Sequence, residues 1–501
     1  MAYTMQKDWG FYGRNQELAE IEKIISSGRW FFCSVSGRRR IGKTTLIQRA
    51  LQNNPDVSEF YFQVPDSDER GVVQAFQEAL EDYDIKIQLA QKMRTFSNIA
   101  DFIELVCERG MVVIIDEFQY FHRKALSEFT SHLQSRVDKL RNTKNGGLFV
   151  LGSIHTEMTA ILEDQSSPLF NRITHRIELD HWDFETLFEM FNTHNVKDPG
   201  HMLFLWAIFE GVPKFYRDNF DQNVLSLKDD YRQSTLQRLF FEGSSPLRDE
   251  ATNWFLRELR GRYDSLLKIL ANTGPCSLSE LKAEYTRAGS GGEAQLGGYL
   301  ATLIDRYRMV EKLQPVFAGS KARKARYAIT DNFLSAWLRG ISRNVQMARV
   351  QPIAKPLARA DSMLAMHEGY AFEKMVRQLT EEASRKGVGD FALSDFVHGY
   401  WNKPDGSDIE IDLVAINDDD EIVRFGSCKR NPKFHSGDEL EKFDGHIERF
   451  LKTREGRKFN GWAVEKALYA SVFDAKQKQQ LTERGYHCLD IEDFRNVLYT
   501  N

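Results

Sequence analysis

The sequence predicts an α/β architecture. It has a parallel sheet covered by helices over roughly the first third, then a helical segment, a compact helix-and-hairpin unit and a second α/β unit. Three observations carry this. Short all-apolar runs alternate with helical patterns up to about residue 180, as strand-helix-strand crossovers require. A glycine-rich turn falls between the first such run and the first strongly patterned helix. Two prolines, Pro352 and Pro356, set off a C-terminal stretch with a strand pair of its own.

The chain has 501 residues, 42% of them hydrophobic, enough for three or four separate cores. With 67 basic against 72 acidic residues the net charge is −5. That excludes wholesale coating of nucleic acid but leaves room for a local basic patch. The longest apolar run, Met202 to Phe209, is far too short to span a membrane. The first nine residues carry no apolar signal core, so a cytoplasmic protein without membrane contact is expected. The five cysteines are scattered with no C-x-x-C pair, which argues against a disulfide framework or a zinc knuckle.

Residues 1–182 are expected to form the first domain. Its strands are Trp30–Ser36, Glu59–Val64, Met111–Asp116, Leu148–Gly152 and Ile173–Leu179; its helices lie near Lys43–Gln52, Gly71–Glu81, Ile99–Glu108 and Ala125–Leu140. The strands are apolar throughout, as burial on both faces demands. Residues 183–260 have a helical period with anchors at Leu187, Phe191, Phe204, Trp206 and Phe209, and read as a helical lid. Residues 261–348 show three helices, the second capped by Ser277, then strands at Val310–Leu313 and Tyr327–Ile329. That order matches a winged helix-turn-helix. Residues 349–360 are the expected linker. Residues 361–501 begin with a helix over Gly369–Ser384, followed by strands at Asp390–Val397, Glu410–Asn417 and Glu421–Cys428.

The chemistry starts at Gly37-Arg38-Arg39-Arg40-Ile41-Gly42-Lys43-Thr44, which fits G-x-x-x-x-G-K-[ST]. The two glycines let backbone N–H groups curl around an anion, and the helix opening at Lys43 aims its positive end there. In that reading these residues and the following Thr45 hold ATP. Lys43 reaches the β- and γ-phosphates, and Thr44 ligates Mg2+. The strand Met111–Asp116 ends in two carboxylates, Asp116 and Glu117. Asp116 would hold Mg2+ through water, and Glu117 would orient or deprotonate the attacking water. The strand Leu148–Gly152 would bring Ser153 beside the γ-phosphate as a polar sensor.

Phe11-Tyr12-Gly13-Arg14-Asn15-Gln16-Glu17-Leu18 resembles the [FY]-x-G-R-x-x-E-L box that precedes the phosphate loop in AAA+-related ATPases. With the loop and the two carboxylates, the chain resembles archaeal and bacterial AAA-type ATPases carrying a C-terminal DUF234 nuclease-like domain, within the MNS clade of STAND NTPases. The resemblance implies that Tyr12, Gly13 and Arg14 lie near the adenine. It makes Arg172, in Ser166-Ser167-Pro168-Leu169-Phe170-Asn171-Arg172, a γ-phosphate-sensing candidate in cis or from a neighbouring subunit. It also makes Gly211-Val212-Pro213 the turn that couples nucleotide state to domain position.

The expected third helix of the winged unit is poor in Arg and Lys, which weakens a base-reading role. The loop Ser320–Arg326 is strongly basic and suits phosphate contact. DNA is therefore one expected partner, and packing that serves assembly or autoinhibition is the other; homo-oligomers suit either. The tail resembles the PD-(D/E)xK nuclease fold, with Glu373 on the helix, Asp412 on a strand and Lys429 after the next. Where active members carry Glu, this chain has Ser427, a far poorer Mg2+ ligand. Glu410, Asp438, Glu439 or Glu441 could substitute; otherwise the tail no longer cleaves.

Overall fold

The structure is a computed structural model. It describes residues 8–83, 93–143, 145–153, 155–248, 250, 262–289, 295–319 and 324–499. The chain divides into two compact units. Among the described residues, one comprises those within 13–182 and 212–214; the other comprises those within 8–12, 183–211 and 215–499.

The first unit is built on five strands: β1 (Phe31–Gly37), β2 (Glu59–Gln63), β3 (Val112–Asp116), β4 (Gly147–Gly152) and β5 (His175–Leu179). Their order is β2-β3-β4-β1-β5, and all pairings are parallel. Every residue of β3 and β4 is buried, which explains why these strands are apolar rather than alternating. β4 lies between β1 and β3, so whatever follows β4 falls between whatever follows β1 and β3. Helix α1 (Asn15–Ser26) precedes β1, and helix α2 (Lys43–Gln52) follows it. Helix Glu69–Asp82 starts at Asp68, whose side chain accepts from Gly71 N–H; helix Phe96–Glu108 starts at Thr95, which accepts from Asn98 N–H. Such caps satisfy N–H groups that the helix itself cannot. These helices bury Phe76 and Phe102 against Phe60 and Phe62 of β2, in edge-on ring pairs 5.0–5.5 Å apart. Phe102→Ala would cost about 3–5 kcal/mol by leaving a cavity in this cluster.

In the second unit, helix Pro199–Phe209 is capped by Asp198 and buried from His201 to Phe209. A helix apolar on all sides must be covered on all sides. Helices Arg262–Thr273, Leu278–Arg287 and Leu296–Ala301 lead into a sheet of β6 (Cys276–Ser277), β7 (Val310–Leu313) and β8 (Arg326–Ile329), ordered β6-β8-β7 and antiparallel. Ser277 and Glu280 form a reciprocal cap at the second of these helices. Residues 290–294 and 320–323, part of the expected third helix and of the basic loop, lie outside the described residues.

The tail sheet has β9 (His398–Trp401), β10 (Glu410–Asn417), β11 (Ile422–Cys428), β12 (Ala463–Ala470) and β13 (His487–Asp490) in the order β13-β12-β11-β10-β9. Its β9–β11 half is antiparallel and its β11–β13 half parallel. Two expectations fail here. The helix expected at 369–384 begins at Ala354, inside the expected linker. Pro356 sits in its first turn, where the missing N–H would have no helical partner anyway. The strand expected at 390–397 does not form. Leu393 N–H donates to Ser384 Oγ and Val397 N–H to Glu381 Oε1, so side chains of that helix take the bonds a ladder needs.

Candidate active site

Gly37 ends β1 with φ +151°, and a Cβ there would lie 2.4 Å from the Leu179 carbonyl oxygen of β5. Only glycine lets the two backbones approach this closely at the turn. Ile41 is buried and plugs the turn into the core. Gly42 then opens α2 at φ 94° and offers no side-chain cap. The first N–H groups of α2 are therefore left for another acceptor, as an anion site requires. Arg14 supports the turn from outside: its guanidinium binds the Asp180 carbonyl and lies 3.5 Å from that of Ile41. Arg38, Arg39 and Arg40 lie in the turn itself, Arg40 at φ 68°. Thr45 is exposed on the first turn of α2.

Lys43 is buried, and its Nζ donates to the Gly37 carbonyl (3.1 Å), the Arg38 carbonyl (3.2 Å) and Ser153 Oγ (2.9 Å). Burial pulls its pKa down to about 8, against the opposing pull of Asp116 and Glu117. Thr44 Oγ1 donates to Asp116 Oδ2 at 2.6 Å, and the Tyr61 hydroxyl donates to the same oxygen at 2.9 Å. Asp116 Oδ1 accepts from Glu117 N–H at 2.8 Å. Burial, with Asp116 beside it, pushes the Tyr61 hydroxyl well above its ordinary range, so Tyr61 remains a donor. Thr44 and Asp116 present the paired oxygens that a hard cation selects, so Mg2+ fits them.

The structure thus brings Lys43, Thr44, Asp116, Glu117 and Ser153 together at the C-terminal edge of the sheet, where parallel α/β sheets place ligands. Arg172 is not among them. Its guanidinium makes two 2.9 Å bonds to Asp138. Thr174, two residues on, bonds Phe32 near the start of β1. Arg172 therefore precedes β5, whereas the loop leaves the far end of β1, about 16 Å away at roughly 3.3 Å per residue. The structure therefore does not bring Arg172 to the loop within the chain. Tyr12 belongs to the other unit, where its hydroxyl bonds His194 Nε2 at 2.8 Å and its ring packs on Trp9. Gly13, at φ 58°, begins the first unit. Sequence reasoning missed Tyr61 and Gln119. Gln119 stands two residues beyond Glu117 with its side chain inside the site. A Tyr at alternate spacing on β2 was the only available signal for the former.

In the tail, Asp412 Oδ2 accepts from Cys428 N–H at 2.8 Å and lies 3.7 Å from Lys429 Nζ. Burial, reinforced by Asp412, pushes Glu373 up to about 8. Gly406, Glu410, Asp412, Ser427, Lys429 and Glu439 are among the residues lining one shared pocket. Glu410 is already paired with Arg326 at 2.7 Å, and Arg326 also lies over the Trp401 ring. Trp401 Nε1 donates to the Lys324 carbonyl. The described end of the basic loop is thus held by the tail strands. Among the described residues no three His, Cys, Asp or Glu side chains converge as a metal site. No described helix is long and apolar enough to cross a membrane.

Residues 11–214 match an ATPase domain found predominantly in Archaea. Residues 337–443 match DUF234, described from archaeal and bacterial proteins of unknown function. An uncharacterised protein of Methanocaldococcus jannaschii is 25% identical over 422 residues, covering 84% of this chain and 87% of its own. The Walker-type ATPase of Pyrococcus abyssi shares the fold with a TM-score of 0.50 at 16% identity, over 66% of this chain and 96% of that one. The Aeropyrum pernix ORC2 protein in its ADPNP–ADP complexes gives 0.48 at 15% identity, over 68% and 97%.

Proposed function

Because the chain carries an archaeal-type ATPase domain over residues 11–214 and a DUF234 segment over 337–443, we propose that it is a Mg2+-dependent ATPase that works as a nucleotide-driven switch. The convergence of Lys43, Thr44, Asp116, Glu117 and Ser153 on one sheet edge carries this reading. Thr44 and Asp116 would hold Mg2+, which when bound neutralises charge on the β- and γ-phosphates. Lys43 binds the same phosphates, Ser153 reports their presence, and Glu117 orients the attacking water. Arg172 is left to serve a neighbouring subunit in a homo-oligomer. The winged helix-turn-helix and the tail are the parts that nucleotide state moves, in a cytoplasmic protein. Glu117→Gln should bind ATP with wild-type affinity but turn over about a hundredfold more slowly. Wild-type turnover in that variant would refute the assignment.

For the tail we favour docking over cleavage. Ser427 stands where the resemblance expects a carboxylate, Glu410 is paired with Arg326, and burial beside Asp412 raises the Glu373 pKa, which disfavours its charged form. The pairing of Arg326 with Glu410 supports an intramolecular, assembly role for the base of the wing. The lysines and arginines of the remaining loop leave DNA phosphate as an outside partner.

A further inference from the structure

We propose that Gln119 is the positioning residue that holds Glu117 ready for water, by bridging the ends of β3 and β4. The inference rests on the reading of Glu117 as the water-orienting carboxylate. Gln119 lies in the short turn Phe118–His122, and its side chain is almost fully buried, at 1% exposure. Its Oε1 accepts from Ser153 N–H at 3.2 Å. A backbone N–H demands an oxygen, so the amide has one orientation only. Nε2 must face the other way, and there it donates to Glu117 Oε2.

Glu117 itself sits at φ 56° and ψ 35°, a left-handed conformation that a residue with a side chain rarely adopts unless its surroundings impose it. Two bonds impose it: Glu117 N–H to Asp116 Oδ1 at 2.8 Å, and the side chain to Gln119. With Oε2 fixed, Oε1 remains to accept a hydrogen bond from water in a defined direction. Phe118 and Phe121, both buried, anchor the turn on either side, so Gln119 is held by the core. Ser153 completes the chain. Its backbone serves Gln119, while its hydroxyl accepts from Lys43 at 2.9 Å. The residue that touches the phosphate-binding lysine is thus the one that fixes the amide behind the carboxylate. Such preorganisation places a water without reorganisation during the reaction.

Two substitutions separate this role from simple packing. Gln119→Glu is nearly isosteric and keeps an oxygen for Ser153 N–H, but it loses the donor toward Glu117. Gln119→Leu loses both. Each should bind a non-hydrolysable MgATP analogue within about threefold of the wild-type Kd, with kcat lowered about ten- to hundredfold. In a Glu117→Gln background, Gln119→Leu should lower kcat no further, because its effect passes through Glu117. Wild-type kcat in Gln119→Glu would overturn the inference. So would a parallel loss of affinity and kcat, or additive losses in the double variant. Wild-type turnover by Glu117→Gln alone would instead remove the premise.

Discussion

Lys43 is the residue on which the electrostatics of the site turn. Its charge is buried, and its pKa falls from 10.5 to about 8 because desolvation outweighs the attraction of Asp116 and Glu117. A triphosphate arriving beside it favours the charged form. Above pH 8 the site must therefore take up a proton to bind, and affinity should fall by about tenfold per pH unit. Calorimetric titrations at pH 8.5, in buffers of different ionisation enthalpy, should show net proton uptake; none would contradict this environment for Lys43. The loop around this residue was legible from sequence because its chemistry is local: two glycines, one lysine and one hydroxyl within eight positions. Gln119 and Tyr61 were not legible. The Gln119–Ser153 and Tyr61–Asp116 bonds exist only because the sheet order puts β4 beside β3 and β2 on its other side. Whether Arg172 faces the loop of its own chain or a neighbouring one was not legible either, because a motif does not say at which end of a strand it falls.

Among elements, the long helix Ala354–Arg385 makes the clearest test. His367 on that helix donates from Nε2 to the Ala207 carbonyl of helix Pro199–Phe209 at 2.8 Å. Burial lowers its pKa from 6.5 to about 4, with Arg339 and Lys374 acting in the same direction. Because the folded value is depressed for a base, the unfolded chain binds the proton first. Stability falls as pH drops from 6.5 toward 4, by about 3 kcal/mol across the window for this one group. Melting temperature should therefore fall less steeply between pH 6.5 and 4 in His367→Leu than in wild type; an equal slope would show that His367 does not titrate on unfolding. This helix also shows where sequence patterning ran out. Its apolar period was readable from Gly369, but Pro356 masked the first turns, since a proline signals a break unless its position within the helix is known. The nonexistent strand at 390–397 was apolar enough to predict. It failed because Ser384 and Glu381 compete for its backbone N–H groups.

At the scale of the whole molecule, one chain carries two clusters of polar and charged groups, and the one at the phosphate loop is the more complete. The phosphate loop and its carboxylates are assembled. The tail keeps Glu373, Asp412 and Lys429 near one another, with Ser427 in the same pocket and Glu410 paired to Arg326, so the proposal that it docks rather than cleaves can be tested directly. Plasmid incubated with the full chain, Mg2+ or Mn2+ and ATP should stay intact, and Asp412→Ala should leave ATP turnover at the wild-type rate. Cleavage abolished by Asp412→Ala would show that Glu439, or another acid near the pocket, has taken over the metal. A change of mass between ADP and a non-hydrolysable ATP analogue in size-exclusion chromatography is expected of a switch, whereas constant mass with DNA-stimulated turnover would favour a motor. All of this depends on the loop from Gly37 to Thr44 accepting a magnesium-bound triphosphate. The most direct test is a calorimetric titration of the full chain and of Lys43→Ala with MgATP. Saturable binding by the wild type and at least a hundredfold weaker binding by the variant are predicted; equal affinity in the two would contradict the account.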